Sequence, residues 1–207
     1  TDALRPGENE LVVRVKDETD AGSRSRGKQK TQRGGIWYTP QSGIWQTVWL
    51  EAVPALYIHG LQMLPHVETG ELELTVETDA ASTAECTVTL QGQTHTLRVN
   101  TPTCLPVKDI PLWSPENPHL EYFSVQLGPD RVESYFAMRS FGVGKDENGI
   151  PRLLLNGKPY FHNGLLDQGY WPDGLYTAPS DEALSFDIRR MKELGFNMLR
   201  KHIKVEP

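Results

Sequence analysis

Hydrophobic and polar residues alternate along much of the chain, which is the pattern of β-strands that bury one face. The first alternating segment covers residues 9–16, where Leu11, Val13 and Val15 share a face. We therefore predict a strand there. We also predict that the N-terminal region ends at a domain boundary near Pro54. After a polar loop, two further strand-like runs follow, at 36–39 and 44–50.

The region from residue 54 to 143 predicts an immunoglobulin-like β-sandwich. Turn residues separate its short strands at roughly the 8–12-residue spacing of such folds. The Cys…Trp…Cys order of antibody domains is absent, because Trp113 follows both cysteines. The candidate strands are Tyr57–Met63, Leu72–Thr78, Cys86–Leu90, His95–Val99, Tyr122–Leu127 and Ser134–Ser140.

The sequence changes character after Gly144. Between residues 153 and 161, Asn156-Gly157 interrupts an apolar run, and this pair favours the positive φ angles of a type I′ turn. We therefore predict a β-hairpin at this position.

A β-α-β pattern follows the hairpin. An extended segment, Tyr160–Leu166, leads into a loop, and Ser180 or Asp181 then caps a helix that Gly195 ends. A second strand begins at Phe196, and the pattern is typical of a parallel sheet. The helix carries one apolar stripe, formed by Leu184, Ile188, Met191 and Leu194. Such a unit cannot bury both faces alone, so we expect a chain that ends within a domain.

Length and charge narrow the classes of function. The 207 residues are too few for a complete TIM barrel with accessory domains, since the barrel alone takes about 250. A net charge of −6 argues against nucleic acid as a partner, because phosphate binding needs a basic face. No apolar run is long enough for a membrane span, and the polar start is unlike a signal peptide.

Two cysteines, Cys86 and Cys104, are too few for a disulfide scaffold or for zinc binding on their own. We expect two reduced core thiols, with a disulfide across neighbouring strands as the alternative. Together with the absence of a signal peptide, this favours a cytoplasmic protein.

The candidate chemistry lies after the two strands of the β-α-β unit, because active sites of parallel α/β barrels lie at the carboxyl ends of strands. Asp167 and Trp171 follow the first strand, and Arg200 and His202 come at the end of the second. Aromatic faces beside charged groups suit sugar binding. The alternative for the first group is an ordinary solvated loop. The alternative for His202 is a surface histidine whose protonation is disfavoured by the neighbouring cations.

Two other clusters have simpler interpretations. Five cations without an acid occur between Arg24 and Arg33, and a solvated loop is favoured over a polyanion site because no aromatic residues are interleaved with them. Trp37, Trp45 and Trp49 could form a sugar-stacking platform, but core or interface positions of a β-sandwich are favoured.

Several motifs, in this order, resemble glycoside hydrolase family 2, which includes β-galactosidases, β-glucuronidases and β-mannosidases. They are GIWQTVWLE at 43–51, LWSPENPHL at 112–120, MRSFG at 138–142, LNGKP at 155–159, DIRRMK at 187–192 and GFNMLR at 195–200. The resemblance implies the last strands of a sugar-binding jelly-roll domain at 1–53, an immunoglobulin-like domain at 54–143 and the start of the catalytic TIM barrel at 144–207.

The resemblance also implies a retaining exo-glycosidase, β-galactosidase-like, that acts on β-linked sugars, with both catalytic glutamates beyond Pro207. Only Arg200 matches a family position, as an arginine that lines the substrate pocket. His202, Asp167 and Trp171 are further expected substrate contacts. The run after Arg200 departs from the usual Arg, two residues, His-Tyr-Pro, since His202 comes one place early and Tyr-Pro is absent.

For the full-length enzyme the resemblance implies a carbohydrate substrate as partner and no certain cofactor. A divalent or monovalent metal ion and a homo-oligomer are both compatible with it. The alternative hypothesis is a non-catalytic β-sandwich module that binds carbohydrate or protein. The β-α-β segment counts against this alternative, because a sandwich module does not need a parallel strand and an amphipathic helix.

Overall fold

The computed structural model describes residues 3–79 and 81–204. Within these residues the chain forms twelve β-strands and one α-helix, which confirms the prediction of a mainly β protein. The chain divides into two compact units. One is Glu51–Phe161, and the other combines the segment that ends at Leu50 with the segment that begins at His162. None of the described helices has the length and apolar character needed to cross a membrane.

The larger unit contains a two-sheet β-sandwich. One antiparallel sheet has the order β1-β2-β5, and the other has the order β4-β3-β6-β7. The strands are β1 (Gly60–His66), β2 (Glu71–Glu77), β3 (Glu85–Leu90), β4 (Gln93–Arg98), β5 (Thr103–Pro106), β6 (Glu121–Leu127) and β7 (Asp130–Phe136).

Alternation along the strands supplies the sandwich core. In β2 every second residue, beginning at Leu72, is buried, while the residues between them are half-buried. Leu74, Val88 and Val125 are completely buried and come from β2, β3 and β6, so both sheets contribute to one cluster. Burial of apolar surface at about 25 cal/mol per Å² is the main force that holds the two sheets together.

A smaller antiparallel sheet follows, with β9 (Pro151–Leu155) between β8 (Phe141–Lys145) and β10 (Lys158–Pro159). Asn156 and Gly157 form the turn with φ angles of 51° and 75°, which confirms the predicted hairpin. The Asn156 side chain accepts a hydrogen bond from Ser140 N at 3.0 Å and donates one to Trp113 O at 3.0 Å. The turn is thereby tied to two segments that precede β8 in the chain.

The second unit contains the predicted β-α-β arrangement. Strands β11 (Gly164–Asp167) and β12 (Met198–Lys201) pair in parallel, and helix α1 (Asp181–Glu193) lies between them in sequence. Ser180 caps the helix by accepting a hydrogen bond from Ala183 N at 3.2 Å. Gly195 follows the C-cap with φ +88°, as a C′ glycine does.

The predicted strands near the N-terminus are wrong. Among the described residues before Gly60, none belongs to a named strand, and pairing is confined to isolated bridges. Leu11, Val13 and Val15 are 48–65% exposed. Alternation alone cannot hold a strand, because its backbone groups need a neighbouring strand as partner. Trp49, predicted in the core or an interface, is 72% exposed.

Two local predictions inside the sandwich also need correction. The strand expected at Ser134–Ser140 begins four residues earlier, at Asp130, because Gly128 and Pro129 form a tight turn with Leu127 opposite Asp130. Cys104 is exposed on β5 rather than in the core, whereas Cys86 is buried, and both are free thiols. Desolvation and the nearby Glu71 and Glu73 raise the pKa of Cys104.

The domain limits at 53/54 and 143/144 stay a prediction. The compact units divide instead after Leu50 and after Phe161. Strand β8 lies on both sides of position 143/144 and pairs along its length with β9.

Candidate functional site

The candidate site lies at the carboxyl ends of the parallel strands β11 and β12. Their register places Asp167 opposite Lys201 and Leu166 opposite Arg200. Side chains alternate between the two faces of a strand. Asp167 and Lys201 therefore share one face, and Arg200 lies on the other.

Asp167 is the best-anchored carboxylate of this region. Its Oδ2 lies 2.5 Å from Lys201 Nζ, and its Oδ1 accepts a hydrogen bond from Gly169 N at 2.8 Å. Its carbonyl oxygen accepts a hydrogen bond from His202 N at 2.8 Å. Because the cation and the backbone amide occupy both carboxylate oxygens, Asp167 orders the loop that follows β11.

His202 lies among cations. Desolvation lowers the pKa of the imidazole, and the charges of Arg200 and Lys28 lower it further. This direction agrees with the effect expected from neighbouring cations. His202 is thus a neutral hydrogen-bonding group in a positive setting near neutral pH, since its ordinary pKa is already about 6.5. Arg200 itself is exposed.

Hydrogen bonds between side chains close the segment 17–42, which lies near this region, into a loop. Ser42 Oγ donates a hydrogen bond to Asp17 Oδ2 at 2.6 Å, and Thr31 Oγ1 donates one to Asp20 Oδ1 at 2.8 Å. These hydrogen bonds lower the pKa values of both carboxyl groups. Side-chain hydrogen bonds therefore supplement the isolated β-bridges Gln29–Tyr38 and Gly34–Trp37 in a segment without a named strand.

Aromatic rings join that segment to the loop after β11. Tyr38 stacks on Tyr170 with ring centroids 3.9 Å apart and planes 13° apart. Tyr176 meets Trp45 edge to face at 4.7 Å, and its amide donates a hydrogen bond to Gln41 Oε1. The Gln41 contact and the two ring pairs link residues more than 130 positions apart in the chain.

A cavity of about 620 Å³ adjoins this aromatic group. Trp45, Trp49 and Tyr176 line it together with Asp181 and Lys204. Lys204 Nζ lies 4.7 Å from the Tyr176 ring centroid and donates a hydrogen bond to Gly169 O at 2.7 Å. Ring faces with one carboxylate and one ammonium at the edge are suited to a sugar ring and its hydroxyl groups.

Two buried polar atoms in the loop after β11 have no hydrogen-bond partner among the described residues. They are the acceptor Gln168 Oε1 and the donor Trp171 Nε1. Buried polar atoms are nearly always hydrogen-bonded, so each such atom is a position where a ligand hydroxyl or a water molecule fits. Trp171 is otherwise held by backbone hydrogen bonds to Leu175 in both directions.

The structure brings three of the four predicted site residues together, since the Asp167 carbonyl accepts a hydrogen bond from His202 N and Arg200 lies beside them on β12. Asp167 pairs with Lys201, while His202 is grouped with Arg200 and Lys28. No described contact joins Trp171 to these residues. Sequence reasoning missed Tyr38, Trp45, Tyr176 and Lys204 as a group. Their only local signal was the abundance of aromatic residues, because the contacts depend on distant segments.

Tyr170 supplies a pH-dependent test of this packing. Burial raises its pKa to about 12, with Tyr176 and Tyr38 adding to the effect. The folded-state pKa exceeds the ordinary value of about 10, so the stabilisation is complete below pH 10 and is lost as pH rises toward 12. We expect Tyr170→Phe to reduce the alkaline loss of stability of this unit in urea unfolding between those pH values.

Tyr122→Phe is the matched control, because the Tyr122 side chain is 68% exposed on the sandwich unit. Removal of its hydroxyl should leave the alkaline loss unchanged. Equal alkaline destabilisation of the wild-type and Tyr170→Phe proteins would contradict the burial of the Tyr170 hydroxyl.

The architecture defines a class: a two-sheet β-sandwich, a small antiparallel sheet and a parallel β-α-β arrangement. This is the fold of the corresponding segments of GH2 glycosidases, as comparison with solved structures shows. No protein-family model and no curated protein sequence matches the chain.

The structural similarity extends to several bacterial enzymes. The β-glucuronidase of Faecalibacterium prausnitzii is 21% identical with a TM-score of 0.59, over 72% of this chain and 24% of the enzyme. The Bacteroides uniformis β-glucuronidase is 24% identical with a TM-score of 0.57, over 79% and 23%. A GH2 β-galacturonidase from Eisenbergiella tayi, solved with galacturonate, is 20% identical with a TM-score of 0.55, over 72% and 29%. The chain therefore spans about a quarter of the length of the enzymes it matches.

Proposed function

We propose that the chain is part of a longer glycoside hydrolase that hydrolyses terminal β-O-glycosidic bonds with retention of configuration. The observation that carries this proposal is the fold, which is similar over 72% of the chain to a β-glucuronidase and to a GH2 β-galacturonidase. In this proposal the β-α-β unit is the beginning of the catalytic barrel, as the sequence resemblance implies. The carboxyl ends of β11 and β12 then belong to the rim of the substrate pocket.

The catalytic carboxylates belong, in this proposal, to residues outside these 207. A retaining mechanism needs two carboxyl groups about 5–5.5 Å apart, one as nucleophile and one as acid/base. Asp167 is the carboxylate at the end of β11, and Lys201 and Gly169 N already engage both of its oxygens. It is suited to holding the loop rather than to attacking an anomeric carbon.

Within the β-glycosides, we propose an acidic sugar in place of the galactoside that the sequence resemblance first implied. The charges of Arg200 and Lys28 act on the half-buried His202, so an anionic group at this face would gain charge-assisted hydrogen bonds. The solved enzymes of similar fold include β-glucuronidases and a β-galacturonidase. The uronides are therefore the first substrates to compare with neutral β-galactosides and β-mannosides.

The test is hydrolysis of aryl β-glycosides by the natural polypeptide that contains these residues and, in parallel, by the 207-residue chain alone. We expect the natural polypeptide to release the aryl group from a β-uronide faster than from a β-galactoside or β-mannoside. The 207-residue chain should show no turnover above the uncatalysed rate. Turnover by the short chain, or binding of sugar without hydrolysis by the natural polypeptide, contradicts the proposal; the second result favours a carbohydrate-binding module.

Arg200→Ala separates the uronide assignment from the general one. Loss of a charged hydrogen bond of about 1.5–3 kcal/mol should lower kcat/KM on the uronide by about 10- to 140-fold. The effect on a neutral glycoside should be smaller. Arg190→Ala is the matched control, because Arg190 is exposed in the last turn of α1 and pairs with Glu193 at 2.9 Å. Equal losses on both sugars would overturn the acidic-sugar assignment alone.

A further inference from the structure

The outer face of the β1-β2-β5 sheet gathers three different metal-ligating side chains. His66, Glu73 and Cys104 come from β1, β2 and β5, one residue from each strand. Their ligand atoms all lie within 4.8 Å of one another. The sequence distances among them hide this cluster, because the residues meet only through the register of the sheet.

The sheet register holds these side chains on one face. Glu73 pairs directly with Cys104 on one side and with Leu64 on the other, two residues from His66. Residues directly opposite in a sheet, and residues two apart in a strand, point to the same face. The cluster therefore rests on regular backbone pairing rather than on a loop.

From this geometry we propose that His66 Nε2, a Glu73 carboxylate oxygen and Cys104 Sγ bind a zinc ion. Nitrogen, oxygen and sulfur are all zinc ligands, and tetrahedral geometry with their usual bond lengths places ligand atoms about 3.3–3.7 Å apart. His66 Nε2 and Glu73 Oε2 already lie 3.3 Å apart. Cys104 is exposed, so core packing does not hold its thiol away from the other two ligand atoms, which lie within 4.8 Å of it.

Accessibility and charge also suit a cation at this position. The His66 and Glu73 side chains are each 36% exposed, so an ion can enter and a water molecule can complete its coordination. Glu71 lies on the same face opposite His66 and adds a second carboxylate nearby. Bound zinc would link β1 to β5 across β2 and would stabilise the folded sandwich.

A second histidine–glutamate pair in the same unit serves as an internal comparison. His119 Nε2 lies 3.5 Å from Glu121 Oε2, with 36% and 22% of the two side chains exposed. That pair does not belong to a metal-ligating group of three among the described residues. His119→Gln therefore controls for the loss of a half-exposed histidine–carboxylate pair.

The experiment titrates the reduced 207-residue chain with zinc against a chromogenic chelator, and with cobalt in place of zinc. We expect one zinc per chain, and a near-ultraviolet thiolate-to-cobalt absorption. Cys104→Ser and His66→Gln should each weaken zinc binding by about 100-fold. Loss of a direct ligand should cost at least as much as loss of a residue that only supports a ligand, which costs about 10- to 100-fold. His119→Gln should bind zinc as the wild type does.

Far-ultraviolet circular dichroism establishes that each variant is folded, and both Cys104 and His66 lie outside the core. The proposal is overturned if Cys104→Ser binds zinc as tightly as the wild type does. It is also overturned if the cobalt-loaded wild type lacks thiolate absorption, or if His119→Gln weakens binding as much as His66→Gln does.

Discussion

Replacement of Leu74 by alanine should lower the free energy of unfolding of the sandwich unit by about 3 kcal/mol, within the roughly 2–5 kcal/mol range of buried Leu→Ala changes. Leu74 is completely buried in β2, which is the central strand of its sheet. The shorter side chain loses contacts on all sides, and neighbours anchored in two hydrogen-bonded sheets cannot close the cavity fully. Urea unfolding, together with hydrogen exchange of the β2 and β6 amides, measures the loss in this unit.

Leu64→Ala is the matched control for this prediction. Leu64 lies on the neighbouring strand β1, opposite Glu73, and is 54% exposed. The same change of side chain should alter stability by no more than about 0.5 kcal/mol there. Similar losses at both positions would contradict the assignment of the core to the inner face of β2.

Replacement of Gly27 by alanine should destabilise the second unit by about 3 kcal/mol, with two separate causes, backbone conformation and steric overlap. Gly27 has φ +51°, a left-handed conformation that costs an L-residue about 1–2 kcal/mol. A Cβ at this position would also approach the carbonyl oxygen of Ile203 more closely than real Cβ atoms do. Because the obstacle is backbone, the two segments must separate, at a further cost of about 1–3 kcal/mol.

The local consequence is loss of the packing between segment 17–42 and the end of β12. The Tyr38 amide donates a hydrogen bond to Lys28 O at 2.8 Å, and Lys28 lies close enough to influence His202. We expect faster hydrogen exchange at the Tyr38 amide and less shielding of the Tyr170 ring in Gly27→Ala.

Gly35→Ala separates the cost of the backbone conformation from the cost of the steric overlap. Gly35 has nearly the same conformation, with φ +58°, and an added Cβ would meet nothing within 4 Å. This variant should lose only about 1–2 kcal/mol, the cost of the left-handed backbone. If Gly27→Ala were no more destabilising than Gly35→Ala, the close approach to Ile203 would not exist in solution.

Sequence patterns located the sandwich strands to within a few residues. The strand predicted at Leu72–Thr78 is observed at Glu71–Glu77, and the one predicted at Cys86–Leu90 at Glu85–Leu90. These predictions succeeded because alternation is a local property and each strand has a partner on either side. The prediction at 9–16 failed although its alternation is as regular, because pairing with another strand is not local.

Two strands were displaced or missed for identifiable reasons. Strand β7 begins among the charged residues Asp130 and Arg131, which hide its start because charged residues have low strand propensity. Strand β5 is only four residues long and contains a proline, so it resembles a loop. Its pairing with β2 nevertheless places Cys104 beside Glu73.

The candidate site was predictable in part. Placement of Asp167 and Arg200 at strand ends followed from the β-α-β pattern and from the caps at Ser180 and Gly195. The residues that contact the predicted site residues could not be predicted from the sequence pattern. Lys201 adjoins Asp167 through the parallel register, and Lys28 reaches His202 through a loop far away in sequence.

By itself, the sequence determined the mainly β character, the Asn156-Gly157 hairpin and the capped helix, because alternation, turn chemistry and capping act between residues close together in the chain. Tertiary structure alone decided which distant side chains meet. The stack of Tyr38 on Tyr170 and the cluster of His66, Glu73 and Cys104 arise from loop packing and strand register. Both depend on the burial of surfaces contributed by separate segments, and no local pattern encodes which segments those are.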